Sequence, residues 1–191
     1  MIMVNAVILP QYQFNLPPKL VATTPARVRD AAKLLVYDTA TDTVIFDNFR
    51  HLGKYLPHRS LLVLNDTKVL PARAPLTKDT GGKVEVLFLM NETSSAGTVR
   101  GLVDRQLTIG QKVWLGRHEF VVVGQVENMF VFRPQFPLRQ LSGILQQVGH
   151  MPLPPYLRHT KLSEHELRKK YQTVFASHPA SVAGVGRRTA R

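Results

Sequence analysis

Two stretches of the chain concentrate residue types suited to nucleosides and protons: His150-Met-Pro-Leu-Pro-Pro-Tyr-Leu-Arg158 and Tyr171-Gln-Thr-Val-Phe-Ala176. In the first, Pro152, Pro154 and Pro155 fix φ and remove backbone donors, so a stiff extended strip is expected rather than a helix or central strand. Such a strip serves as a rigid connector, or as the wall of a ligand site that displays His150, Tyr156 and Arg158. Composition alone favours the connector. With Tyr171, Gln172 and Thr173 from the second stretch, His150 and Tyr156 offer aromatic faces for stacking a purine or deazapurine, an amide for reading a base edge and an imidazole that moves protons near neutral pH. Packing accounts equally well for the tyrosines, and a helix surface for Gln172 and Thr173.

Asn65-Asp66-Thr67 is a third candidate. Such residues commonly stabilise turns and helix starts by bonding nearby backbone donors. As a site, Asp66 can act as a general base or hold a ribose hydroxyl, and Arg73 can hold a carboxylate or phosphate in bidentate fashion. Gly81-Gly82-Lys83 lacks the spacing of a phosphate loop and reads as a tight turn entering a strand. Lys83 and Glu85 then share one strand face, as a solvated charge pair or as substrate contacts. The seven histidines include no His-Glu-x-x-His spacing, and His159 and His165 have no obvious carboxylate partner at ligand spacing, so no metal site is expected. No Gly-x-Gly-x-x-Gly follows a strand, which leaves a Rossmann nucleotide site unsupported.

Positioning these residues falls to a mixed set of elements. Leu34–Asp38 and Thr43–Asp47 read as a hairpin turning at Thr39–Asp42. Ser60–Leu64 is a continuous apolar run suited to a strand buried on both faces, delivering the chain to Asn65-Asp66-Thr67. Short strands are expected at Lys83–Met90, Thr98–Val103, Lys112–Leu115, Glu119–Val126 and Met129–Arg133, with turn signals between them, as in a small barrel or sandwich. Leu138, Leu141, Ile144, Leu145 and Val148 recur at helical spacing, so Pro137–Val148 is expected as an amphipathic helix. Ser163-Glu164-His165-Glu166 is a capping box, and the helix it starts carries Tyr171 near its last turns.

The chain has 191 residues, 25 Lys and Arg against 13 Asp and Glu, a net charge of +12 and no cysteine. Disulfides, thiolate nucleophiles and cysteine-ligated metals are thereby excluded, which fits a reducing cytoplasm. Arg187, Arg188 and Arg191 account for three charges, so residues 1–183 still carry +9. Such a surface favours polyphosphate partners through counterion release. Residues 1–10 are too short and lack the flanks for a membrane anchor or signal peptide.

Five ordered stretches give this reading a sharper direction: Phe14-Asn-Leu-Pro17, Arg29-Asp30 ahead of Leu34-Leu-Val36, Asn65 to Arg73, Thr80 to Leu87, and the pair of stretches from His150 to Ala176. Together they resemble the S-adenosylmethionine:tRNA ribosyltransferase-isomerase family of queuosine biosynthesis. Lys68 and Leu70 depart mildly from the family's usual Arg and Ile. Val103-Asp104-Arg105-Gln106 stands where the family usually has a basic Arg-Pro-Gly-Lys-like loop. After Ala183 the family continues as Ala-Pro-Thr-Ala-Gly-Leu-His-Phe and through a further portion, whereas this chain reads Gly184-Val-Gly-Arg-Arg-Thr-Ala-Arg191. That tail reads as a truncated or frameshifted end or a disordered basic extension.

The resemblance implies an α+β fold: an incomplete mixed α/β main domain over 1–64 and 136–183, a small antiparallel β-barrel inserted at 65–135, and an unmatched tail at 184–191. It implies transfer and isomerisation of the ribosyl part of S-adenosylmethionine onto 7-aminomethyl-7-deazaguanine at the wobble position of tRNA, giving epoxyqueuosine. S-adenosylmethionine is then a substrate, with no cofactor or metal, and the complete enzyme is expected to be a cytoplasmic monomer. Asp66, His150 and Tyr171 become the catalytic candidates. Asn65, Thr67, Arg73, Lys83, Glu85, Pro154, Tyr156, Gln172 and Thr173 become the substrate-binding set. The chain itself is expected to be an amino-terminal piece or a defective copy of such an enzyme. The competing reading is a non-catalytic basic β-barrel that clamps RNA by charge and stacking.

Overall fold

The computed structural model describes residues 13–157 and 160–181, with the side chains of Tyr156 and 179–181 left out. A hairpin comes first, β1 (Lys33–Asp38) against antiparallel β2 (Thr43–Asn48), as the β-branched runs predict. Six further strands form a closed antiparallel barrel: β4 (Arg73–Lys78), β5 (Lys83–Thr93), β6 (Val99–Val103), β7 (Lys112–Leu115), β8 (His118–Val126) and β9 (Met129–Pro134), with neighbour order β4-β5-β6-β9-β8-β7. Closure leaves no free edge to template association.

The barrel is held by what its strands point inward. Phe88 stacks on Phe120 at 5.3 Å between ring centroids and meets Phe132 edge-on at 5.6 Å. All three rings are fully buried among Leu76, Val84, Val86 and Val122. Each such side chain contributes about 1.5–3 kcal/mol by leaving water. At Gly101 a Cβ would lie 2.7 Å from Val86 Cγ2 and 3.1 Å from Phe132 Cε2, so the crowded wall admits no side chain there. A 3-10 turn at Leu138–Gln140 leads into α1 (Leu141–Val148), whose Leu141 and Leu145 join the same core.

Two further pieces frame the region of interest. A short parallel sheet joins β3 (Thr67–Val69) to β10 (His178–Ser181). The helix α2 (Glu164–Lys170) begins as expected at a complete capping box: Glu166 N donates to Ser163 Oγ at 3.3 Å and Ser163 N to Glu166 Oε2 at 3.0 Å. Tyr171 caps its other end.

Three expectations are corrected. Ser60–Leu64 is not a buried strand: Leu61 is 90% and Val63 85% exposed, and no strand pairs with the run among the described residues. A run apolar on both faces is stable as a strand only when neighbouring strands and covering layers are present. The proline strip is extended only to Pro154, because Pro155–Leu157 closes a 3-10 turn through Leu157 N to Pro154 O at 3.0 Å. Proline's fixed φ suits the first position of such a turn. Strand β4, with Pro75 inside it, was not expected; Pro75 pairs with Glu85 on one side only, and β7 joins β4 further on, at Thr77 and Lys78. Pro75 therefore sits where its missing donor costs nothing.

The architecture is mostly β. Outside the barrel the described residues form two two-stranded sheets and short helices, and an α/β main domain is not among what they show. The tail at 184–191 lies outside the described residues.

Candidate functional site

Asn65 begins a short polar structure at the mouth of β3. Its Oδ1 accepts from Thr67 N at 2.9 Å and Thr67 Oγ1 at 2.6 Å, an Asx turn that sends Asp66 to the opposite side. The Asp66 carbonyl accepts from Ser177 N at 2.7 Å and His178 N at 3.2 Å, and its carboxylate Oδ2 lies 2.9 Å from His178 Nδ1. Ser177 Oγ is also 2.9 Å from that nitrogen. A carboxylate set against one ring nitrogen orients an imidazole and fixes its tautomer, which leaves the opposite nitrogen for proton transfer. His178 was not foreseen, since 112 residues separate it from Asp66 and only the fold pairs them.

Gln172 supplies what a third strand would. Its Oε1 accepts from Val69 N at 2.7 Å, while Nε2 donates to Val69 O at 3.0 Å and Arg168 O at 3.2 Å. Thr173 Oγ1 donates to Asn65 O at 2.9 Å. Asn65, Asp66, Thr67, Gln172 and Thr173 are thereby brought together, with Gln172 committed to backbone. Tyr171 is half-buried against the cluster of Val69, Met151 and Leu167.

Arg73, Glu85 and His150 form a second group at the start of β4. Arg73 and His150 exchange backbone bonds at 3.2 and 2.7 Å. This approach requires Gly149, where a Cβ would lie 2.0 Å from Pro71 O. Arg73 Nη1 is 3.5 Å from Glu85 Oε1, and His150 Nδ1 is 3.8 Å from Glu164 Oε2. Lys83 and Glu85 are both exposed on β5, on the face that period-2 alternation assigns them. Pro154 is half-buried; Arg158 and the Tyr156 side chain lie outside the described residues. Asp66 and His150 thus take different partners, one on β10 and the other on α2.

Between residues 22–32 and the end of α2 lie three adjoining clefts of ≈ 260, ≈ 650 and ≈ 770 Å³. Tyr171 and Gln172 line the first, and Asn65 and Thr173 line the third. Arg29 borders all three, donating from Nη1 to Lys170 O at 3.1 Å and from Nη2 to Gln172 O at 2.8 Å. The Arg29-Asp30 pair stands out in the sequence, yet nothing local to it signals the clefts. Away from them, bonds from His51, Tyr55 and the Asn48 amide hold the Asp47 carboxyl well below the usual range. That network fastens the 3-10 segment Phe49–Tyr55 to β2. Among the described residues no group of side chains is arranged to hold a metal, and no helix is long and apolar enough to cross a membrane.

Comparison with known proteins adds a direction that geometry alone does not give. The family described as queuosine biosynthesis protein matches residues 9–186. An S-adenosylmethionine:tRNA ribosyltransferase-isomerase of Sulfurimonas denitrificans is 35% identical over 179 residues, which are 90% of this chain and 51% of the relative. One from Rubrobacter xylanophilus is 37% identical over 173 residues, 91% of this chain and 50% of the relative. The solved S-adenosylmethionine tRNA ribosyltransferase of Thermotoga maritima is 28% identical, with a TM-score of 0.36, and the match covers 84% of this chain and 54% of that one. The chain spans about half the length of the curated relatives it matches.

Proposed function

The chain belongs to the queuosine biosynthesis protein family, and from that premise we propose that it contributes the amino-terminal part of a site that moves the ribosyl group of S-adenosylmethionine onto 7-aminomethyl-7-deazaguanine in the wobble position of tRNA. The products are epoxyqueuosine, adenine and methionine, and S-adenosylmethionine is consumed as substrate. The observation that carries the reading is the meeting of Asn65–Thr67 with Gln172–His178. These segments, with Val69 just beyond the first, are joined by side-chain bonds at Gln172–Val69, Thr173–Asn65 and His178–Asp66.

The chemistry needs a base for the acidic proton beside the sulfonium, an acid to assist adenine departure and an oriented amine nucleophile. The Asp66–His178 pair is the proposed base, with Asp66 orienting the imidazole whose opposite nitrogen takes the proton. His150, held by Glu164, is the proposed acid, and Tyr171 and Thr173 orient the substrate. Arg73, Lys83 and Glu85 form a charged rim for RNA, with Asn65, Thr67, Pro154, Tyr156 and Gln172 shaping the wall. Residues 65–135 act as a barrel inserted into a main domain of α/β type, to which 1–64 and 136–183 contribute. The complete enzyme works as a monomer in the cytoplasm.

The test is adenine release from S-adenosylmethionine in the presence of tRNA bearing 7-aminomethyl-7-deazaguanine, with this chain joined to the remaining half of a full-length relative. Release that falls at least a hundredfold in Asp66→Asn supports the reading, since positioned proton transfer is worth about 10²–10⁴-fold. Release unchanged by Asp66→Asn removes Asp66 from the mechanism. RNA binding without release would favour a clamp devoid of chemistry.

A further inference from the structure

The two larger clefts adjoin, sharing Pro25, Ala26, Arg29, Thr173 and Val174 in their walls, yet their chemistries differ. One is cationic: Arg27, Arg29, Lys169 and Lys170 line it and no carboxylate does. The other is largely aromatic and apolar: Phe49, Val174 and Phe175 line it, with Asp30, Asn65 and the shared Arg29 and Thr173 as its polar groups. Phe49 is 46%, Val174 66% and Phe175 52% exposed, so three large apolar side chains face solvent around one cleft. A wall of that kind beside a concentrated positive charge matches a nucleotide, whose base has a face to stack and whose phosphates carry charge.

Resting on the tRNA reading above, we infer that this double cleft seats one splayed-out nucleotide of a single-stranded RNA loop, with the base in the aromatic compartment and its flanking phosphates in the cationic one. Arg29 stands at the boundary, its guanidinium already spent on the carbonyls of Lys170 and Gln172 at 3.1 and 2.8 Å. It therefore fixes the partition rather than binding phosphate. Lys170 is partly neutralised by Glu166 at 3.2 Å, which leaves Arg27 and Lys169 as the principal phosphate contacts. Asp30, the one acid of the aromatic compartment, is 3.7 Å from Arg50. Its carboxylate supplies the acceptor for an exocyclic amine on the base edge, the Asn65 amide oxygen being already taken up by Thr67. A purely apolar partner would leave Arg27 and Lys169 unused, and a duplex would present no free base face to the phenylalanines.

The test compares binding of the purified chain to an RNA hairpin with an anticodon-type loop and to a blunt RNA duplex of equal charge, across a salt series. Replacing Arg27 and Lys169 together by Gln should lower the salt slope for the hairpin by about 1.4, the share of two single-strand phosphate contacts. Phe49→Ala and Phe175→Ala should each weaken hairpin binding roughly five- to hundredfold, leave the salt slope intact and hardly change duplex binding. Phe175→Ile keeps the apolar volume but loses the flat face, so it should reproduce the loss if stacking is the cause; thermal melting checks that every variant is folded. The inference is overturned if the chain binds no RNA, if the hairpin and duplex bind alike, or if folded phenylalanine variants bind as well as the parent. Adenine release separates it from the functional reading: release that persists while these variants bind normally sinks the cleft alone, whereas variant-sensitive binding without release sinks the chemistry alone.

Discussion

Replacing Gln172 by Leu should destabilise the chain whether or not substrate is present. Val69 is only 2% exposed, and its amide and carbonyl both depend on the Gln172 amide, at 2.7 and 3.0 Å. Leucine fills similar space but satisfies neither group. An orphaned buried backbone group costs about 1–3 kcal/mol, so the pair should cost roughly 2–4 kcal/mol after some water reaches the site. For a chain of this size 1 kcal/mol moves Tm by about 2–4 °C, which predicts a fall of roughly 4–16 °C in thermal melting. Gln172→Glu is a sharper probe. Its carboxylate still accepts from the Val69 amide but faces the Val69 carbonyl with negative charge, and only the protonated acid can donate there. Its folded pKa should therefore be raised, so the stability of this variant should be greatest below the unfolded value near 4.3 and be lost as pH rises through the folded value. A Gln172→Leu protein that melts within about 1 °C of the parent would refute the structural role and return Gln172 to the substrate.

Three further outcomes follow from the packing. Gly149→Ala would push a methyl to 2.0 Å from Pro71 O and 2.6 Å from Leu145 O; both are backbone atoms, so the junction of α1 with the barrel must move, and urea unfolding should show a loss of at least about 2 kcal/mol. Phe88→Ala empties the centre of the aromatic cluster and should cost about 3–5 kcal/mol in the same assay. Glu166 has a pKa lowered to about 2, first by the Ser163 amide and then by the Ser163 hydroxyl and Lys170. Its contribution is present above the unfolded pKa near 4.3 and lost as pH falls toward 2; Gln also completes a capping box, so Glu166→Gln should keep the helix and flatten acid melts between pH 5 and 2.

The barrel was the most legible part of the chain apart from β4, because much of each strand alternates and its turns carry Gly or Asn signals. Val84, Val86 and Phe88 face inward while Lys83 and Glu85 face out, and that period survives any context. Ser163 and Glu166 were equally legible, since a capping box is a local bond pattern. Ser60–Leu64 misled for the opposite reason: apolar content signals burial, but burial depends on neighbours that the run itself does not specify. The candidate site was legible as a set of residues rather than as an arrangement. Asn65 and Thr173 meet 108 residues apart, and nothing in either segment names the other. His178 drew no attention, and Arg29 stood out without its role, because both roles arise only where distant backbone carbonyls and carboxylates converge.

The central claim is tested most directly by mass spectrometry of nucleosides from tRNA bearing 7-aminomethyl-7-deazaguanine, after incubation with S-adenosylmethionine and this chain joined to the remaining half of a full-length relative. The account predicts epoxyqueuosine in the digest, and its loss in Asp66→Asn with tRNA binding retained. A folded, tRNA-binding protein that leaves the 7-aminomethyl-7-deazaguanine unaltered would contradict it.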